Sequence, residues 1–440
     1  MKKLIFFIGL LCSMSMSAHD FEVDDIYYNI TSSTDNTVEV TYYGNDYKVY
    51  SVYSGAVSIP ETVTYKGRTY SVTGIGYGAF YWDTGLTSVV IPNSVTSIGD
   101  FAFWYCSGLT SVEMGSSLSS IGEQAFCGCS GLTSVVIPNS VSCIEDYAFQ
   151  GCFNLLSLKI GSGVTSIGGY TFSGCSALHS VKIGSSVAEI GEWAFGDCSA
   201  LTSIEIPDKV KNIGNRAFTY CSGLTSVVFG DGVTSIGDEA FFGCAALTSV
   251  VIPDNVNSIG NRSFANCSAL TSVVIPDNVT SIGINPFAGC SNLVSIIVDE
   301  ENAFYDSREG CNAIIETSSN ALVAGCQSTI IPDGVTSIGS YAFAFCSGLD
   351  SVVIPNSVIN IRSYAFQGCS SLTAASFPAL TTVSGNNAFY YAFFACNRLT
   401  SVDLSSLATV SGAGAFNYAF RNCLALTSVD LSSLAAIDVN

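Results

Sequence analysis

The chain has 440 residues and carries 35 Asp and Glu against 15 Lys and Arg, a formal net charge of −20. That balance argues against nucleic acid and anionic lipid surfaces as partners, since both need clustered basic side chains. Its plain physical use is solubility for a surface coated mainly with Ser and Thr.

Residues 1–18 have the form of a secretory signal peptide. Lys2 and Lys3 supply the charge, Leu4 to Leu11 the apolar run, and Ser17-Ala18 a small-residue cleavage site before His19. Lipidation at Cys12 would need a small residue where Leu11 stands. No later stretch is long and apolar enough for a transmembrane segment, so the mature chain is expected to be exported, secreted or at a cell surface.

Residues 19–73 differ in composition from the rest of the chain. IYYNI, TVEVTYYG and RTYSVTGIG are aromatic and β-forming, with turn formers at Asp35-Asn36 and Gly44-Asn45. A stack of coils needs its first coil covered, or apolar surface and strand edges face water. This segment is expected to be an N-terminal β-rich cap.

From residue 74 to 440 one unit recurs. Phe80, Phe103, Phe126, Phe149, Phe172, Phe195, Phe218, Phe241, Phe264 and Phe287 are each 23 residues apart. A fixed period of that length is the mark of a solenoid whose coils stack. The unit reads L-x-x-V-x-I-P-x-x-V-x-x-I-G-x-x-A-F-x-x-C-x-x, as at Leu132 to Gly151 with Cys152, where Glu145 takes the glycine's place. Its first part is a short strand closed by proline, and a second apolar pair such as Val95 and Ile98 precedes a turn at Gly99. The A-F pair and the cysteine point inward again, giving a β-rich repeat solenoid with one continuous core.

The period breaks between Phe287 and Phe343, which are 56 residues apart. The extra residues fall at about 298–330, where NAIIET and ALVAGC read as a hairpin about Ser318-Ser319-Asn320 that protrudes or forms an irregular coil. The acidic group Asp299, Glu300, Glu301 and Asp306 lacks the glycine-punctuated spacing of a calcium loop and reads as solvated. From about residue 372 the period becomes 27, with the added residues on the side away from the first strand. The chain ends partway through a coil at Asp438-Val439-Asn440. That leaves an uncapped C-terminus expected to meet another chain or domain end to end, unless the sequence is a piece of a longer one.

Thirteen of the 18 cysteines share one repeat position, from Cys106 to Cys423. Parallel side chains in register suit a buried row of free thiols better than disulfides. One cysteine per coil converges on nothing, so neither a metal site nor a cofactor is expected. Cys311 and Cys326 flank the hairpin and are the best disulfide candidates.

No nucleophile elbow, phosphate-cradling loop or histidine–carboxylate constellation is present, so no catalytic residue is assigned. His179 stands at an outward strand position. Two sets of residues are candidates for binding. Val228, Val251, Val274 and Ile297 project outward from successive first strands, bordered two residues earlier by Ser226, Ser249, Ser272 and Ser295. Aromatic residues at variable positions, including Trp104, Tyr105, Trp193 and Tyr220, could stack on sugars, anchor a protein, or pack between coils.

The segment VVIPNSVTSIGDFAFWYCSGLTS, residues 89–111, resembles the BspA-type leucine-rich repeat family, and the resemblance extends over residues 74–440. It implies a right-handed leucine-rich-repeat solenoid of parallel short strands on an exported or surface protein, bacterial in origin. Members of that family are discussed as adhesins. The resemblance therefore implies a non-enzymatic binding protein that recognises a protein or glycan at a cell or matrix surface through an extended solenoid face. The other reading is a passive structural spacer or surface-layer component without a specific ligand.

Overall fold

The structure is a computed structural model describing residues 19–44, 52–384 and 386–438. The signal-like leader at 1–18 lies outside the described residues. The 23-residue unit forms one coil of a β-solenoid, and equivalent residues of successive coils pair in parallel. Ser120 and Ile121 face Cys143 and Ile144, and Ser134, Val135 and Val136 face Ser157, Leu158 and Lys159.

Each coil has three stretches. The first strand, such as Ser134–Val136, buries its central residue and exposes its neighbours. The second strand is only two residues long, as in Ser97–Ile98, yet it builds the more continuous sheet. In 14 strands that sheet runs from the N-terminal segment to Ser281–Ile282. The first strands fall instead into shorter groups.

The third stretch carries A-F-x-x-C and is a ladder of turns. The N–H groups of Phe101, Phe103 and Tyr105 donate to the carbonyls of Glu123, Ala125 and Cys127 in the next coil, at 2.9, 2.7 and 2.7 Å. Those of Ala102, Trp104 and Cys106 turn back to Gly99, Phe101 and Phe103. Alternation of this kind needs a left-handed residue two before and two after each phenylalanine, here Phe101 at φ 57° and Tyr105 at φ 56°.

The phenylalanines form the core of the stack. From Phe80 to Phe287 neighbouring rings lie 4.8–5.9 Å apart and within 15° of parallel. The row resumes from Phe343 through Phe366 and Phe393 to Phe420. Beside it the cysteine row is buried and free along most of its length. Apart from Cys346, each thiol of the row reaches the carbonyl of the phenylalanine one coil back, as in Cys106 to Phe80 at 2.9 Å and Cys221 to Phe195 at 3.2 Å. A weak S–H donor thereby satisfies the carbonyl of a buried turn.

Ahead of the coils, β1 (Phe21–Val23), β2 (Ile26–Ser32) and β3 (Thr37–Thr41) form an antiparallel meander. β4 (Gly55–Ser58) joins a first-strand group, and β5 (Thr62–Tyr65) forms a hairpin with β6 (Arg68–Ile75). β6 pairs in parallel with β3 and with Ser97–Ile98. The Tyr53 ring lies 4.5 Å from that of Phe80, at the head of the phenylalanine row. Its hydroxyl donates to the Thr41 carbonyl at 2.9 Å.

Ala313–Glu316 pairs antiparallel with Ala321–Gly325 as a hairpin. It forms an irregular coil, since Ala321 and Leu322 pair in parallel with Ser337 and Ile338. Its side chains alternate between two cores: Ile314 packs with the residues before it, Ala313 and Ile315 with those after. Gly325 takes the place of a phenylalanine. Its N–H donates to Ala342 at 2.8 Å, as Phe103 does to Ala125, and Cys346 points to its carbonyl.

The 27-residue coils place their added residues in the turn stretch, away from the first strand, and bury a second ring. Phe389 is fully buried and stacks on Phe416 at 4.7 Å.

Candidate functional site

The two predicted residue sets fall on different stretches of the coil. Val228, Val251, Val274 and Ile297 lie in or beside the first strand and are 61, 80, 50 and 49 % exposed. Their inward neighbours Val227, Val250, Val273 and Ile296 are buried, which is the period-two alternation at work. Ser226, Ser249 and Ser272 are exposed beside them, and Ser295 is half-buried.

The ridge does not stand on one unbroken sheet. Val228 belongs to a two-strand group with Ser203–Glu205, and Val274 and Ile297 to another. Ser249 to Val251 is not in a strand. A depression of about 680 Å³ opens there, lined by Val228, Phe229, Val251 and Pro253. It adjoins Phe229, whose ring meets Phe241 edge-on at 5.7 Å, where other 23-residue coils hold a smaller apolar side chain.

The aromatic candidates belong to the turn stretch. Tyr105 and Tyr220 are exposed, Trp104 and Trp193 half-buried. Most spend their ring faces on each other. Trp82 stacks on Tyr105 at 5.0 Å, Tyr81 on Trp104 at 4.6 Å, and Tyr147, Tyr170 and Trp193 form a three-ring ladder. Arg216 stands 5.8 Å over Trp193 and is paired with Glu239 at 2.7 Å. Tyr170, stacked on both sides, and Trp193, between Tyr170 and Arg216, offer a ligand only their edges, whereas Tyr220 makes only an edge contact with Phe242.

Cys311 and Cys326 are both free and buried, and the expected bridge is not formed. Each thiol is directed at a backbone carbonyl instead, Cys311 to Ala313 at 3.8 Å and Cys326 to Asn312 at 3.4 Å. Burial raises the Cys221 thiol of the row to about 12 and that of Cys127, off the row, to about 11, which removes their nucleophilic character. His179 is exposed, with Nδ1 2.5 Å from the Ala177 carbonyl.

In the acidic loop, Asp306 accepts from Arg308 at 2.6 and 2.8 Å, and Asp299 accepts from the Glu301 N–H at 2.9 Å. Among the described residues no three His, Cys, Asp or Glu side chains converge as metal ligands would. No helix among them is long and apolar enough to cross a membrane.

What the sequence reading missed is the left-handed pair flanking each phenylalanine. Its visible trace is the glycine two residues after it in many coils, such as Gly128, Gly151 and Gly174. Where an aromatic residue takes the position instead, nothing local marks it.

A family model described as a BspA type leucine rich repeat region matches residues 73–202, 194–309 and 315–440, in six copies. Among solved structures, a leucine-rich repeat protein from Bacteroides ovatus is similar over 93% of this chain and 94% of its own, with 29% identity and a TM-score of 0.66. A leucine rich cell surface protein from Faecalibacterium prausnitzii aligns over 94% of each chain, with 26% identity and a TM-score of 0.45. A search of curated proteins finds no match.

Proposed function

We propose, on the premise that the chain belongs to the BspA-type leucine-rich repeat family, that it is an exported, adhesin-like binding protein without catalytic activity. Its first-strand face takes a protein partner. The observation that carries this reading is the ridge of Val228, Val251, Val274 and Ile297, exposed in four successive coils. Aliphatic side chains gain by burial against another apolar surface, and they give a sugar hydroxyl no hydrogen-bond partner. The serines beside them suit the polar rim of a protein interface.

Export is supported by the signal-like residues 1–18, and a non-catalytic role by thiols that burial holds protonated. Residues 19–73 are read as the cap of the first coil, supported by Tyr53 lying over Phe80 and by β6 joining the coil sheet.

The test is binding of the purified chain to a panel of extracellular matrix proteins, with the Val251→Asp and Val274→Asp pair as the probe. The pair is expected to abolish binding while circular dichroism stays unchanged. Binding that survives both changes removes the ridge from consideration. Absence of any protein partner would favour the passive spacer.

A further inference from the structure

Among the described residues the turn ladder breaks after the coil of Phe264. In each coil from Phe80 to Phe264, the N–H of the phenylalanine and those two residues either side donate to the next coil. The last to do so are Arg262, Phe264 and Asn266, to Ile284, Pro286 and Ala288 at 3.0, 2.9 and 2.6 Å. In the coil after that, Asn285, Phe287 and Gly289 have no such acceptor among the described residues. The next coil in sequence is the inserted hairpin, which runs as a strand through Gly325 where the others turn. The regular ladder starts again only at Tyr341, which donates to Ser363 at 3.1 Å.

A cleft of about 420 Å³ lies at this break. Ala265 and Ala288 stand where Trp104 and Phe242 stand in other coils, so its floor is low. Above them lie Arg262, Asn266, Asn285, Tyr341, Phe345 and Gln367. Tyr341 stacks on Tyr364 at 4.5 Å on one side and has no aromatic neighbour among the described residues on the other. Phe345 is 46 % exposed and lies against Gly368 of the next coil. Asn285 is 5 % exposed and lines the cleft beside Asn266 and Gln367, which brings three side-chain amides to one opening.

We propose that this cleft is a saccharide-binding subsite, separate from the valine ridge. Open ring faces at Tyr341 and Phe345 pack against the C–H face of a pyranose. The amides of Asn285, Asn266 and Gln367 and the guanidinium of Arg262 pair with its hydroxyl, acetamido or carboxylate oxygens. The site's size admits a small saccharide unit, whereas the four outward side chains of the ridge are all aliphatic. The assignment stands on the cleft alone and survives if the ridge reading fails.

The test is a glycan array of neutral, N-acetylated and acidic saccharides probed with the purified full chain, followed by calorimetry with the best-bound member. A saccharide should bind. Phe345→Ala and Arg262→Ala, both at exposed side chains, should each weaken it more than tenfold, while Val251→Asp leaves it unchanged. Asn285→Ala should weaken it as well, with the melting curve as the control for folding. Three results overturn the proposal: no saccharide bound, a saccharide whose affinity ignores Phe345 and Arg262, or capture of a peptide by the cleft with no saccharide bound.

Discussion

The Tyr105 ring lies flat over Gly128 one coil later: a Cβ added at Gly128 would stand 2.9 Å from the Cγ and Cδ2 atoms of that ring. The same pairing recurs at Tyr220 with Gly243 and at Phe345 with Gly368. At these three left-handed positions the aromatic residue is tied to a glycine in the next coil, whereas Trp82 at the same position stacks on Tyr105. Gly128, at φ +73°, carries both constraints.

Gly128→Ala is accordingly expected to cost about 1–3 kcal/mol, from the backbone conformation plus the displaced ring. Adding Tyr105→Ala should return part of that loss. A double-mutant cycle by urea unfolding measures the two shares, and no coupling between the sites would mean the ring swings away freely.

Phe218 is fully buried between Phe195 and Phe241, with ring centroids 5.4 and 5.2 Å away. Phe218→Ala should cost ~3–5 kcal/mol by opening a cavity that the rigid stack cannot close. Phe420, only half-buried, should lose clearly less on the same change. Equal losses at the two positions would show that burial within the stack is not what holds it.

The buried thiols give a pH dependence of known sign. Burial raises Cys221 from its ordinary 9.0 to about 12, so the folded state holds the proton where the unfolded state releases it. That contribution is complete below pH about 9 and is lost as the pH climbs towards 12, by about 1.4 kcal/mol per pH unit for one such thiol. Urea unfolding between pH 7 and about 10.5 should show the decline, and Cys221→Ala should make it shallower. An unchanged slope in that variant would contradict the assignment.

Gly325 sits against the Phe343 ring, and a Cβ there would overlap it. Gly325→Ala should cost about 1–3 kcal/mol by overpacking. Because stability in a solenoid is a sum over neighbouring coils, the loss falls on one junction. The variant should therefore melt in two calorimetric steps where the parent melts in fewer, and a single shifted transition would speak against two cores.

Much of the coil was legible because its chemistry repeats. Phe103, Cys106, Leu109, Val112 and Ile121 recur at fixed offsets, and each proves buried or nearly so. The hairpin at Ala313–Glu316 and Ala321–Gly325 was also readable, from alternating apolar residues about a polar turn. The cleft was not. It arises because one coil lacks a turn, which leaves Asn285 and Tyr341 facing a gap although 56 residues separate them in the chain. The Ser249 to Val251 opening was equally hidden, since that stretch repeats the apolar pattern of its neighbours and differs only in what lies beneath. Periodicity reports what each coil shares and is silent where one coil departs from the next.

The hairpin that divides Ile314 from Ala313 and Ile315 also has a mechanical meaning. Among the described residues the phenylalanine row ends at Phe287 and starts again at Phe343, so axial tension finds a seam between two separately zipped blocks. A chain pulled from its two ends would yield there first, lengthening by one step while both blocks stay wound.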